Sequence, residues 1–582
     1  MTTAIASPVL GKTDSVLPTL SSRADFDAFR EHSERAWAAH SASDAFVVTV
    51  GLDSSSIPKG AADVLDACRT ALAGTPAIVR QASGNGANWM EPWVQIKRPN
   101  QPAIVYGNIE PSDVVELLKG NLEDRAVGVI GDSAHNGVLP LSELPFFKLQ
   151  KRILLRNVGV IDPESIEDAV ARGAYSGYIK ALFDVSQDEV IEEVTRANLR
   201  GRGGAGFPAG IKWASGKRAR NRPKYVVCNS HEGEPNVYKD RRIHEGDPHR
   251  LLEGILIACV AVGADIGYNY IGGEYPLAIQ RFRKAAADAE RLGLIGKNVL
   301  GSGKDIGLRI RAGGGAYICG EGSALMFSIM GVRGQPRTKP PRSVEEGLWK
   351  RPTVANNSET LANIPDIVMN GGDWYASMGS GKNTGTKLVT VMGPVKRMGL
   401  VEVEMGTPFR TVIDQIWGGM KDGHTFKGIQ TGGVSAGPLL DEHLDVPLDF
   451  DSMAEYGGML GSGGFVVYDE TTCAVDYARY MMAFNRYESC AKCVPCRLGN
   501  PALIEIIDRI RLGRGSEADL ALIERTSKHI IELSLCGLGQ VAPMPLLGMM
   551  QKHHEEFIEH IQGYCRCGTC PIEPGVGAIA AD

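Results

Sequence analysis

Apolar positions in the first third of the chain fall into short runs separated by turn residues. Runs at Phe46–Val50, Ala77–Arg80, Trp93–Ile96 and Ala103–Tyr106 predict strands, and three- to four-residue spacing at Ala61–Ala73 and Pro111–Leu118 predicts two helices among them. Over residues 44–120 this is a thioredoxin-like order of elements. Residues 1–43, rich in Ala, Ser and charge, read as a leader with a short helix near Asp25–Ala39. Residues 121–197 form a turn-rich linker and a helical lead-in, with helical spacing resuming at Gly177–Ala197.

From 198 to 365 strand-like runs at Tyr225–Cys228, Ile266–Ile271 and Leu308–Arg311 each end in a polar or glycine-rich loop, the alternation of a Rossmann-like nucleotide domain. Leu251–Gly263 is the most apolar stretch, and with Glu253 inside it reads as a buried helix rather than a membrane span. Residues 366–460 change to short strands at Lys387–Met392 and Leu400–Glu404 and a helix at Phe409–Ile416, a β-grasp order. Residues 461–582 are helical, with apolar faces at Ala474–Asn485, Pro501–Leu512 and Glu517–Ile531. The expected fold class is therefore α/β multidomain, ending in a helical bundle.

At 582 residues and 43% hydrophobic, the chain can bury a core in each of these units. A net charge of −6 gives no basic field, which argues against nucleic acid as a partner. No apolar run approaches the roughly 18 residues of a span, and Met1–Val9 lacks a cationic start, so a cytoplasmic location is expected. Eight of the 12 cysteines lie from Cys473 onward, and their tight spacing favours metal binding over disulfides.

Cys490, Cys493 and Cys496 stand at C-x-x-C-x-x-C spacing within Glu488–Arg497, and Cys536 offers a fourth thiolate after a helical excursion. Four thiolates suit a [4Fe-4S] cubane; the same set also suits structural zinc. The amides of Gly537 and Gly539 are placed to bond cluster sulfurs. Upstream, the glycine-rich loop Arg200–Pro208 is weak evidence for a phosphate site taken alone. It gains weight from Lys212, the polar run Asn229–Pro235, a second glycine loop at Gly313–Glu321, and the hydroxyl and amides of Pro352–Asn357.

Glu-Ser-Cys-x-Lys-Cys-x-Pro-Cys-Arg with Ser-Leu-Cys-Gly-Leu-Gly resembles the cluster-binding end of the NADH-binding flavoprotein subunit of complex I. The related subunits of soluble NAD(P)-linked hydrogenases and formate dehydrogenases share it, and the resemblance covers roughly residues 175–570. It implies an NAD(P)H dehydrogenase (diaphorase-type) oxidoreductase subunit that carries electrons between NAD(P)H and FMN and through a [4Fe-4S] cluster on Cys490, Cys493, Cys496 and Cys536. The alternative is an electron-relay or bifurcating scaffold with a degenerate nucleotide site. By resemblance, Gly201, Gly203, Lys212, Asn229, Tyr317, Asn356 and Asn357 line FMN, with Thr353 beside its phosphate, while Glu232, Glu234, Phe207 and Glu321 serve NAD(H) or NADP(H). Partners implied are a thioredoxin-like [2Fe-2S] subunit, an iron–sulfur relay subunit and a terminal catalytic subunit.

Four departures from the family pattern stand out. His231 replaces an aspartate that contacts flavin, Gly322 replaces a carboxylate near the adenosine ribose, and Arg342 and Ser215 replace aromatics that stack on adenine. Gly322 and Arg342 together make room and charge for a 2′-phosphate, which favours NADPH. The competing reading is that lost stacking weakens the nucleotide site. In the thioredoxin-like module, cysteines expected near Val50–Ser55 and Gly84–Asn88 are missing and Cys68 lies in a predicted helix, so a docking scaffold without a cluster is expected. By resemblance to soluble relatives, Cys473, His560, Cys565 and Cys570 bind Zn2+, with Cys567 a substitute ligand; His553 and His554 read as exposed helix residues. Cys228, Cys259 and Cys319 read as packed thiols.

Overall fold

Runs of β-branched residues bounded by glycine loops become strands here, and the longer apolar stripes become helices, in a computed structural model that describes residues 17–42 and 44–572. The chain is a mixed α/β protein with several sheets and a helical C-terminal region. Residues 23–42 form one long helix whose Phe26 and Phe29 are buried, so this part of the leader is packed rather than loose; residues 1–16 lie outside the described residues.

The first sheet takes its strands in the order Ile78–Ala82, Val47–Gly51, Val94–Lys97, Ala103–Tyr106, Ala126–Ile130. Only the first pair is parallel. The helix Ala61–Ala71 buries Val64, Leu65 and Cys68. The fifth strand comes from beyond residue 120, where the valines and glycine of Ala126–Ile130 pair with Ala103–Tyr106.

The second sheet is wholly parallel, in the order Gly307–Ala312, Ile266–Ile271, Tyr225–Ser230, Thr353–Asn357. Beneath it runs the helix Pro248–Val262, every residue of which is buried. Apolar residues on most of its surface, with His249, Arg250 and Glu253 each hydrogen-bonded, suit a helix enclosed by neighbours. Asp247 caps its N-terminus through the Arg250 amide, and Gly263 at φ 66° ends it. The carboxyl ends of the strands, at Ser230 and Asn357, open into the loops that form the site, the usual ligand position in an open parallel sheet.

The third sheet is ordered Leu400–Glu404, Thr386–Met392, Gly464–Asp469, Phe426–Gln430, Pro438–Leu439. Its central strand lies past residue 460, where Phe465 and Val467 are buried between both neighbours. The helix expected at Phe409–Ile416 is a single π-turn, Thr411–Ile416. Helices Ala474–Tyr487, Val494–Arg511, Glu517–Leu533, Met544–Lys552 and His554–Ile561 complete the chain. Among the described residues no helix is long and apolar enough to cross a membrane.

Candidate functional site

Two adjoining cavities of about 360 and 680 Å3 open at the carboxyl ends of the parallel strands. Gly203, Ala205, Asn229, Gly320, Glu321, Asn357 and Gly537 line both. These volumes fall in the range of small-molecule sites. A Cβ on Gly203 would lie 2.9 Å from the Asn357 Cβ, so only glycine lets this loop approach the strand end. Asn229 donates to the Gly320 carbonyl (2.9 Å) and Asn356 accepts from the Trp213 indole (3.0 Å), which fixes both amides. Lys212 reaches the Ala355 carbonyl (2.8 Å), and burial with help from Lys339 lowers its pKa to about 8. Gly201 lines the larger cavity and Tyr317 the smaller. Thr353 stands apart, at the opposite end of its strand, where its hydroxyl accepts from the Leu348 amide and donates to the Arg351 carbonyl.

The acids of the Asn229–Pro235 run are held by structure as well as exposed to the cavity. Glu232 accepts the amides of Asp240 (3.0 Å) and Arg241 (3.1 Å) at the start of the helix Lys239–Gly246, and burial pushes its carboxyl up to about 7. Glu234 accepts from the Ser462 hydroxyl, its other oxygen has no partner, and burial raises its pKa too. Under them lies a charge network that sequence reasoning missed. Lys239 pairs with Asp240 (2.8 Å) and Glu359 (3.2 Å), Lys387 pairs with Glu359 (2.6 Å), and Asp240 accepts from the Asn357 amide (2.5 Å). Four buried ionisable groups persist because each is paired or hydrogen-bonded. Such a polar floor with a lysine-lined, glycine-cradled rim fits a phosphorylated ring cofactor.

The larger cavity is cationic. Lys212, Arg337, Lys339 and Arg342 line it, against the single carboxylate of Glu321. Glu321 caps the helix Gly322–Ile329 through the Ser323 (2.9 Å) and Ala324 (3.0 Å) amides and sits 3.6 Å from Lys339. A Cβ at Gly322 would meet nothing within 4 Å. Phe207 lies at the rim with its ring 5.8 Å from the Lys212 ammonium, and Ser215 is also at the wall.

The four thiols of Cys490, Cys493, Cys496 and Cys536 converge beside this site. Cys496 is buried, and its pKa is pushed up to about 11 by burial, with the other three thiols adding to the rise. Ser489 (3.2 Å) and the Asn500 amide (3.5 Å) contact its sulfur. Cys536 accepts backbone amides from Gly539 and Leu538. Gly537 lines both cavities, and Leu538 and Val541 line the smaller one. The cluster segment is thus part of the cavity wall.

Cys473, His560, Cys565 and Cys570 bring their ligand atoms within 4.8 Å of one another. The Cys473 sulfur is 3.5 Å from both His560 Nε2 and the Cys570 sulfur, while His560 Nδ1 bonds the Glu556 carbonyl at 2.6 Å. Fixing Nδ1 in this way leaves Nε2 as the ligand nitrogen. Cys567 is outside the group, turned to the Glu470 carbonyl. His553 is not an exposed residue: it bonds the Tyr468 hydroxyl at 2.9 Å with its side chain 10% exposed, whereas His554 is exposed. Cys228, Cys259 and Cys319 are buried.

Two family models match the chain: the Nuo51 FMN-binding domain over residues 194–366 and the NADH-ubiquinone oxidoreductase-F iron-sulfur binding region over residues 476–560. The NADP-reducing hydrogenase subunit HndC of Solidesulfovibrio fructosivorans is 46% identical over 414 residues, 71% of this chain and 84% of that protein. The F 2 subunit of the NADH-quinone oxidoreductase of Rhizobium meliloti (strain 1021) is 43% identical over 70% of this chain and 97% of its own. A chain of the NAD+-reducing [NiFe]-hydrogenase, solved in the H2-reduced state, superposes with a TM-score of 0.63 at 25% identity, covering 93% of this chain and 92% of that one. With glycine cradle, cluster thiols and these relatives in agreement, the chain belongs to the family of FMN- and [4Fe-4S]-binding oxidoreductase subunits typified by the F-type subunit of NADH-quinone oxidoreductase.

Proposed function

We propose that this chain passes electrons from NADPH, in preference to NADH, through FMN held where the two cavities adjoin to the [4Fe-4S] cluster and on to partner subunits. One observation carries the electron path: Gly537, next to the ligand Cys536, lines both cavities, so donor, flavin and cluster sites share a wall. FMN supplies the switch from two-electron to one-electron chemistry. Gly201, Gly203, Lys212, Asn229, Asn356 and Asn357 hold it, and Glu232 and Glu234 orient the nicotinamide and exclude water from the ring. The preference for NADPH rests on the larger cavity, where Gly322 leaves space and Arg337, Lys339 and Arg342 supply charge for a 2′-phosphate. Cys473, His560, Cys565 and Cys570 are read as a structural zinc site.

The first sheet, with its helix Ala61–Ala71, is read as a thioredoxin-like docking module without a cluster, and the third as a β-grasp domain. The terminal partner is a catalytic subunit reached through iron–sulfur relay subunits, among them a thioredoxin-like [2Fe-2S] protein, in the cytoplasm. Anaerobic titration of the FMN-loaded protein with each nucleotide tests the core of this reading. Bleaching by NADPH at lower concentration than NADH is expected. Preference for NADH would remove the 2′-phosphate claim alone, and a flavin reduced by dithionite but by neither nucleotide would leave only an electron relay.

A further inference from the structure

His231 is a buried imidazole, 7% exposed, with no hydrogen-bond partner for either ring nitrogen. It follows the carboxyl end of the strand Tyr225–Ser230, where its backbone N–H donates to Asn229 Oδ1 (3.2 Å), and it walls the smaller cavity. Buried polar groups are nearly always paired, so two orphaned nitrogens mark a group kept for something that enters the cavity. A histidine with a purely structural task would be tied down at one nitrogen or the other.

The groups facing this ring come from three other elements. Glu274, exposed, projects from the loop after the strand Ile266–Ile271; Glu488 ends the helix Ala474–Tyr487; Tyr270 stands edge-on at 6.1 Å, and Tyr317 shares its side of the cavity. The Ala316 carbonyl is close enough to favour the charged ring but makes no hydrogen bond with it. Glu232, next in sequence, is turned to the helix Lys239–Gly246. Burial keeps the imidazole neutral by lowering its pKa, while Glu274 and Glu488 pull the other way. Two opposed influences of this kind leave the ring responsive to a new charge in the cavity.

We propose that His231 takes up a proton when FMN at this cavity is reduced and gives it back on oxidation, compensating the charge of the reduced ring. The inference rests on the FMN assignment but not on the choice of nucleotide. A hydride from NAD(P)H carries two electrons and one proton and adds one negative charge to the cavity. The proton accepted at a free ring nitrogen of His231, drawn from solvent past the Glu274 carboxylate, cancels that charge. When the two electrons leave for the cluster, both protons return to solvent.

The test is a spectroelectrochemical titration of the FMN-loaded protein with mediators and no nucleotide, repeated across the range from about pH 7 to about pH 8.5, above the ordinary imidazole value, where the buried ring is neutral while the flavin is oxidised. The wild-type flavin midpoint potential is expected to fall with the slope of two protons per two electrons. In H231N and H231Q, either of which suffices should the other fail to fold, that slope should halve. A wild-type slope of one proton per two electrons overturns the proposal without recourse to any variant, as does an unchanged slope in a folded, flavin-loaded variant. A uniform offset of potential at unchanged slope would mean a structural role only. Failure of the wild-type protein to bind FMN would overturn the FMN assignment itself.

Discussion

The backbone N–H of Tyr317 donates to the Glu488 carboxylate at 2.8 Å, joining the loop that walls the smaller cavity to the turn that carries Cys490. Two further bonds brace the same junction, Arg333 to the Cys490 carbonyl and Lys492 to the Pro336 carbonyl, both at 2.7 Å. The cavity side and the segment of Cys490 are therefore held in register by three bonds between segments more than 150 positions apart in sequence.

Loss of the Glu488 carboxylate should loosen that register. Glu488→Ala leaves the Tyr317 amide without its acceptor, a cost of roughly 1–3 kcal/mol. The expected phenotype is a flavin that nucleotide still bleaches at the wild-type rate, with the cluster's electron paramagnetic resonance signal lagging several-fold behind. Simultaneous slowing of both steps would point to general damage at the flavin site instead.

Gly203→Ala should release FMN. The added methyl meets the Asn357 Cβ at 2.9 Å, and both residues belong to strand-end and loop backbone that cannot swing aside. Overpacking of this kind costs about 1–3 kcal/mol, or roughly 5- to 150-fold in affinity. Fluorescence quenching on FMN binding measures it, and an unchanged dissociation constant would remove Gly203 from the cradle.

Gly322→Glu restores a carboxylate at a position where an added Cβ meets nothing within 4 Å and that faces the larger cavity. Its charge opposes a 2′-phosphate and suits ribose hydroxyls. The ratio of kcat/KM for NADPH over NADH should fall by about tenfold or more, equivalent to roughly 1.4 kcal/mol. A ratio that holds steady would show that Arg342 and its neighbours do not read the 2′-position.

How much of this was legible beforehand follows from how local each feature is. The strands Ala103–Tyr106 and Leu400–Glu404 match their expected bounds because period-two patterning and β-branched residues are local signals. The thiols of Cys490, Cys493 and Cys496 stand out for the same reason, their short spacing, whereas the Cys473, His560, Cys565 and Cys570 group was read only through resemblance, since Cys473 and His560 are 87 positions apart. The network of Lys239, Asp240, Glu359 and Lys387 was not, since it joins residues up to 148 positions apart and each, read alone, is an ordinary charged residue. Proline also misled the helix boundary. A helix expected to begin at Pro501 in fact starts at Val494 and carries Pro501 inside it, accepting one lost N–H bond so that Leu503, Ile504 and Ile507 can stay buried.

If the Cys473, His560, Cys565 and Cys570 group holds zinc, its ligands contribute to folding. Cys473→Ser should lower the metal content by about one zinc per chain, by mass spectrometry of the purified protein, and depress the melting temperature while FMN binding persists. Cys567→Ser, outside the group, should leave both unchanged. Equal zinc in the wild type and in Cys473→Ser would make the group a packed remnant.

Glu253 supplies a pH-dependent weakness in the core. Its Oε1 accepts the amides of Gly177 (2.8 Å) and Tyr178 (3.1 Å) from within the fully buried helix Pro248–Val262, and burial pushes the carboxyl from 4.5 up to about 7 despite those bonds and nearby Arg250. A carboxyl raised on folding binds its proton more tightly in the native state. Its favourable share of stability is full below the unfolded value and is lost as pH rises through the folded one. Glu253→Gln keeps an accepting oxygen and cannot ionise. Denaturant melts at matched pH should therefore show the wild type losing stability relative to the variant between about pH 4.5 and about pH 7, by at most roughly 3 kcal/mol, before the difference levels off. A difference constant across that window would mean that Glu253 stays ionised throughout, with Arg250 outweighing burial.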